Sequence, residues 1–143
     1  MAPKPKRILL VDDNPNDLEL ALAAFQESDT PHDVRTATGG LAALELLRAA
    51  PAEERPHVVL LDLNMTHMDG LSVLDAIRSD PGLHDIPVVM LSTSRAQGDI
   101  QACYARGASA YVVKPMDFSR FTDAVKAIGG FWVDLNEAPP RLH

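Results

Sequence analysis

Apolar runs of strand length alternate along this chain with stretches whose apolar residues recur at helical spacing. Arg7 to Val11 (RILLV) predicts a first strand, and Asn14 to about Ser28 a first helix. Asn14 suits the N-cap, Pro15 the first turn, and Asp17 the positive end of the helix dipole, while Leu18, Leu22 and Phe25 share a face. His32 to Ala37 is a weaker strand, and Leu41, Leu44 and Leu47 mark a helix starting near Gly39 or Gly40. Val58 to Leu61 predicts a third strand, with Leu71, Leu74 and Ile77 marking a helix that stops before Asp80-Pro81. Ile86 to Leu91 predicts a fourth strand. A helix carrying Ile100, Cys103 and Tyr104 follows it, with Gly107 placed to end that helix. Tyr111 to Val113 is a fifth strand, and Asp117 can cap a last helix with Phe118, Phe121, Val125 and Ile128 on one face.

Strands alternating with helices imply βαβ units and a parallel sheet, an α/β fold. The first, third and fourth strands are apolar throughout, as expected where helices cover both faces. A length of 143 residues fits one domain, and a hydrophobic content of 46% supports a real core. The net charge of -7 argues against a nucleic-acid surface, and Lys4, Lys6 and Arg7, broken by prolines, read as a solvated tail. A single cysteine, Cys103, forms no intrachain disulfide and sits in a helical pattern as a buried residue. No apolar run approaches the ~20 residues of a membrane span, and the N-terminus lacks a signal-peptide core, so we expect a cytoplasmic protein.

The chemistry lies at the strand ends. The first strand runs into Asp12 and Asp13, the third into Asp62, the fourth into Ser92 and Thr93, and the fifth into Lys114-Pro115. Sites in open α/β sheets form at the carboxyl ends of the strands. If these strands are neighbours, three carboxylates, hydroxyls and an ammonium meet in one crevice. Crowded carboxylates repel unless a cation intervenes, and Mg2+ suits an all-oxygen donor set that keeps water and bridges to phosphate. An aspartate there can act as a nucleophile and form an aspartyl phosphate, its oxygens met by the metal, Lys114 and a hydroxyl. Each residue taken alone has a bland explanation as a cap or turn residue; their co-occurrence at one end of successive strands carries the signal.

The segments ILLVDDNPND, VVLLDLNMTHMDG, PVVMLSTS and GASAYVVKP resemble, in that order, the receiver domains of response regulators. The likeness covers Lys6 to Ile128 and implies a (βα)5 doubly wound parallel sheet in the flavodoxin-like order 2-1-3-4-5. It implies that Asp62 is the phosphoacceptor, Asp13 a direct Mg2+ ligand, Asp12 its partner acid, and the Asn64 backbone carbonyl a further ligand. It also implies that Ser92, with Thr93 as second choice, is the switch hydroxyl, Lys114 the phosphate-binding lysine with Pro115 commonly in cis after it, and Tyr111 the aromatic switch. Thr66 departs from the pattern, since receivers often carry proline there; this removes no chemical group but puts loop rigidity in doubt. DNPNDLELALAAF and the terminal FWVDLNEAPP further resemble single-domain receivers that partner phytochrome-type histidine kinases. The expected organisation is a flexible stretch over residues 1–5, a receiver domain over 6–129, and a C-terminal extension over 130–143.

Phe118, Phe121, Val125, Ile128, Trp132 and Leu135 follow an alternating spacing of 3 and 4. Either Gly129-Gly130 ends the helix and Trp132 folds back, or the helix runs on and offers apolar residues to a second copy. We expect a homodimer through Phe121, Val125, Phe131, Trp132 and Leu135. Two other functions compete with the receiver. DLNMT resembles the nucleophile motif of haloacid-dehalogenase-type phosphatases, but Asn64 replaces its second aspartate and the motif follows the third strand rather than the first. A flavodoxin-like binding module would need aromatics near the crevice, and only 5% of residues are aromatic.

Overall fold

The computed structural model describes residues 6–27, 32–115 and 117–135, without the side chains of Phe118 and of residues 133–135. Five strands, β1 (Lys6–Asp12), β2 (His32–Thr38), β3 (Val58–Asp62), β4 (Val88–Ser92) and β5 (Ala110–Val113), form one parallel sheet in the order β2-β1-β3-β4-β5. The helices α1 (Pro15–Gln26), α2 (Gly40–Ala49), α3 (Gly70–Ser79), α4 (Gln97–Ala105) and α5 (Phe118–Gly129) follow the strands in turn. The flexible stretch expected over residues 1–5 lies outside the described residues.

Side chains alternate across each strand, so the apolar run of β1 feeds two cores. Leu9 and Val11 join Val59, Leu61, Val88 and Met90 beneath α2 and α3. Ile8 and Leu10 join Val58, Leu60, Val89 and Leu91 beneath α1 and α5. Burying each such side chain contributes ~1.5–3 kcal/mol, which is why β3 and β4 carry no polar residue until their last position and β1 carries none from Ile8 to Val11.

The caps behave as their residue types require. The side chain of Asn14 accepts from Asn16 N, that of Asp69 from Ser72 N at the start of α3, and that of Asp117 from Arg120 N at the start of α5. Gly107, at φ 95°, follows the end of α4. Several expectations are corrected. Leu41 is 64% exposed, because the inward face of α2 is Gly40, Ala43, Leu44 and Leu47 rather than the three leucines. Tyr104 is 50% exposed, and Cys103 is the one fully buried residue of α4. β4 begins at Val88, since Ile86 packs in the core from the turn ahead of Pro87.

Gly129-Gly130 does not end the last helix. Gly130 has helical angles (φ -61°, ψ -43°), and the chain continues as a π-helical turn over Gly130–Leu135. Gly129 has a packing role instead: a Cβ there would lie 2.5 Å from Phe25 Cε1, so the missing side chain lets α5 press against α1. Trp132 is half-buried against the α1/α5 core, while Phe131 is 51% exposed and meets the Trp132 ring edge-on at 5.2 Å. Phe121 and Val125, expected at a dimer interface, lie in the chain's own core instead, Val125 with no exposure at all. The inward stripe of a single helix resembles a coiled-coil seam, and here the sheet takes it up. The side chain of Leu135 lies outside the described residues.

Candidate functional site

Strand register brings the predicted residues together. Val11 pairs with Leu61, so Asp12 and Asp62 follow side by side on β1 and β3. Asp62 pairs with Leu91 and Ser92 with Val113, which sets Ser92 and Lys114 at the same rim. Asp12, Asp13 and Asp62 each offer a carboxylate oxygen, all within 4.8 Å of one another. The buried strands hold two of these acids rigidly, Asp12 at 7% and Asp62 at 8% exposure.

Lys114 is the cation of this crevice. Its ammonium donates to Asp12 Oδ2 at 2.9 Å, stands 3.3 Å from Asp62 Oδ1, and reaches Asp17 Oδ2 at 3.5 Å. Its backbone N–H is bonded to the Ser92 carbonyl at 2.7 Å, which locks the start of the β5–α5 connection to the end of β4. Burial alone would lower the pKa of this ammonium; its bond to Asp12 and the charges of Asp62, Asp12 and Asp17 outweigh that and raise it. No peptide bond among the described residues is cis, so the Lys114–Pro115 bond, expected in cis, is trans.

Asp62 is the perturbed acid. Burial pushes its carboxyl up from 3.8 to about 6, and Asp12 adds repulsion, against the opposing pull of Lys114 and of the N–H of Asn64. One lysine therefore does not neutralise the cluster. Asp13 behaves oppositely, held below the usual carboxylate range chiefly by the Thr66 backbone N–H. Its Oδ2 accepts both that N–H, at 2.8 Å, and the Thr66 hydroxyl, at 3.1 Å. An all-oxygen donor set with uncompensated negative charge suits a hard divalent cation.

Gly70 closes the loop behind Asp62. Its N–H donates to the Leu63 carbonyl at 2.9 Å, and a Cβ there would lie 2.5 Å from the Asp62 carbonyl oxygen. Ser92 is fully buried and its Oγ accepts from Ser94 N at 3.1 Å, whereas Thr93 is exposed at the rim beside Lys114 and Pro115. Tyr111 is half-buried and donates its hydroxyl to the Ser94 carbonyl at 2.9 Å. Ser94 Oγ in turn donates to Asp99 in the first turn of α4. Three residues of this network escaped sequence reasoning. Asp17 reads locally as a dipole partner and Thr66 as a departure from a pattern, and their contacts join segments 97 and 53 residues apart; Asp99, five residues from Ser94, is not singled out by the sequence.

A central parallel strand that delivers an acid beside two further acids, a lysine and a hydroxyl is the arrangement expected of a receiver domain. This chain belongs to the response regulator receiver domain family, whose pattern matches residues 8–126. It is 35% identical to the response regulator Rcp1 of Synechocystis over 94% of each chain. Among solved structures it resembles the phosphorylated cyanobacterial phytochrome response regulator RcpA, with a TM-score of 0.87 and 39% identity, covering 96% of this chain and 100% of that one. It also resembles the Mn2+-bound form of Rcp1, with a TM-score of 0.84 and 34% identity, covering 95% and 100%. The phosphatase reading loses its ground, because the receiver family covers residues 8–126 and the motif follows the third strand of the chain rather than the first. No helix among the described residues is long and apolar enough to cross a membrane.

Proposed function

We propose that this chain is a response regulator that accepts a phosphoryl group on Asp62 from a histidine kinase and signals through protein contacts. The carrying observation is that Asp62, at the end of the central strand β3, is buried beside two other acids and 3.3 Å from the Lys114 ammonium. A carboxylate oxygen of Asp62 forms the new P–O bond as the donor's phosphohistidine P–N bond breaks, and the imidazole takes the electron pair. Asp12, Asp13, Asp62 and the Asn64 carbonyl would hold Mg2+, which supplies positive charge to the phosphoryl oxygens. Lys114 turns from the Asp62 carboxylate to a phosphoryl oxygen.

Ser92 is the switch hydroxyl, with exposed Thr93 as second choice. Ser92 Oγ is bonded to the Ser94 N–H, and Ser94 to Tyr111 and Asp99, so a hydroxyl drawn towards phosphate pulls the whole β4–α4 connection. α4, with Cys103 as its one fully buried residue, is the helix least anchored by apolar packing, and phosphorylation shifts its population between two positions. The chain turns over no substrate beyond its own phosphorylation from a donor and slow hydrolysis of the aspartyl phosphate. Its likeness to RcpA supports a phytochrome-type kinase as donor, acting in the cytoplasm on a receiver unit of residues 6–129. Exposed Phe131, on the extension 130–143, supports homodimer contact there, with Trp132 behind it.

Incubation with Mg2+ and acetyl phosphate, followed by intact-mass measurement, tests the reading. A phosphoryl adduct that disappears in Asp62→Asn supports it. An adduct that survives in that variant, or none with either acetyl phosphate or a kinase donor, ends it.

A further inference from the structure

Two hydrogen bonds from one residue converge on a single oxygen of Asp13. The Thr66 N–H at 2.8 Å and the Thr66 hydroxyl at 3.1 Å both donate to Oδ2, across a sequence distance of 53 residues. An anionic carboxylate oxygen so engaged has its principal lone pairs occupied, which leaves Oδ1 the better placed of the two to take a cation. Asp13 nevertheless keeps an oxygen within 4.8 Å of those of Asp12 and Asp62. The two bonds therefore hold Asp13 in the orientation that serves the cluster.

The donor is itself fixed. His67, in the left-handed region at φ 65°, is the only non-glycine with positive φ among the described residues. Met68 N donates to the Thr66 carbonyl at 2.7 Å across this residue. This tight turn aims the Thr66 N–H and hydroxyl back at the β1–α1 loop. A proline at position 66 would have neither donor.

We propose that Thr66 is a positioning residue for the cation ligand Asp13: it selects one oxygen for the metal and couples the β3–α3 loop to its binding. The inference rests on the reading of Asp12, Asp13 and Asp62 as a divalent-cation site. Hydrogen bonds that orient a ligating carboxylate typically change metal affinity by roughly 10–100-fold when removed. Thr66 is exposed, so water replaces part of each bond, and removing the hydroxyl alone falls below that range.

The test is calorimetric titration of the full chain with Mg2+ alone, paired with thermal melts in chelator and in Mg2+. Thr66→Ala should weaken Mg2+ binding roughly 3–10-fold and Thr66→Pro at least 10-fold, with Thr66→Ser within twofold of the parent. Stability of the Ala variant in chelator should stay near that of the parent, while its gain on adding Mg2+ shrinks. If Asp13→Asn abolishes binding but both the Ala and Pro variants bind as tightly as the parent, the positioning role is refuted and the cation site stands. If the parent chain takes up no Mg2+, or Asp13→Asn leaves binding intact, the cation reading fails and the role of Thr66 with it.

Discussion

Replacing Asp62 with asparagine should stabilise the metal-free protein, although it removes the residue on which the proposed function depends. In the folded chain this carboxyl is raised from 3.8 to about 6, so the folded state holds its proton more tightly than the unfolded state does. Stability is then fully present below pH ~4 and declines as pH climbs to about 6, above which the loss is complete. A shift of about 2 units corresponds to ~3 kcal/mol at 1.36 kcal/mol per unit. Asparagine resembles the neutral acid in shape, so this is the ceiling of the gain. Lys114 keeps its contacts with Asp12 at 2.9 Å and Asp17 at 3.5 Å, so it is not stranded by the change. We expect a net gain of roughly 1–3 kcal/mol at pH 7.5 in chelator, a smaller gain at pH 5, and none near pH 4. For 143 residues each kcal/mol moves the melting temperature by about 3 °C, so urea titrations and thermal melts both resolve the effect. Saturating Mg2+ should narrow the gap, since a cation at ~100 times its Kd stabilises the parent by ~2.7 kcal/mol. A variant no more stable than the parent at pH 7.5, or a gain that does not change with pH, would show that Asp62 is not the strained member of the cluster.

Other perturbations test different parts of the fold. Gly70→Ala places a methyl 2.5 Å from the Asp62 carbonyl oxygen and 2.8 Å from Leu63 Cα, both backbone, and should destabilise by ~1–3 kcal/mol in a urea titration. Lys114→Met leaves Asp12 and Asp62 facing each other without a cation; it should lose ~3–5 kcal/mol in chelator yet bind Mg2+ more tightly in a calorimetric titration. Gly129→Ala meets Phe25 and should lower the melting temperature by several degrees, at ~1–3 kcal/mol of overpacking, if α5 packs through the glycine as described. Phe131→Ser removes the exposed ring without touching the core and should dissociate the proposed dimer in sedimentation velocity; an unchanged dimer would place the contact elsewhere.

Much of this protein is legible one segment at a time. The order of strands and helices follows from local periodicity, and the caps Asn14 and Asp117 from short-range hydrogen bonding to the next few N–H groups. The acids, hydroxyl and lysine are visible because each ends an apolar strand, and parallel strands put those ends on one edge. Such inferences depend only on neighbours within a turn or along a strand. Tertiary structure alone decided the rest. Leu41 and Tyr104 look like core residues in the one-dimensional pattern, but helix orientation on the sheet turns them to water. Phe121 and Val125 fit a dimer seam equally well until the sheet claims them. Gly129-Gly130 reads as a helix stop, yet the chain runs on helically through both, and Gly129 sits where α1 packs close enough to need the missing side chain. The contacts Lys114–Asp17 and Thr66–Asp13 join residues 97 and 53 positions apart, and no local preference encodes them. Periodicity records which face of an element is apolar; which partner covers that face, and which donor meets which carboxylate, is set only when the crossovers bring distant strand ends together.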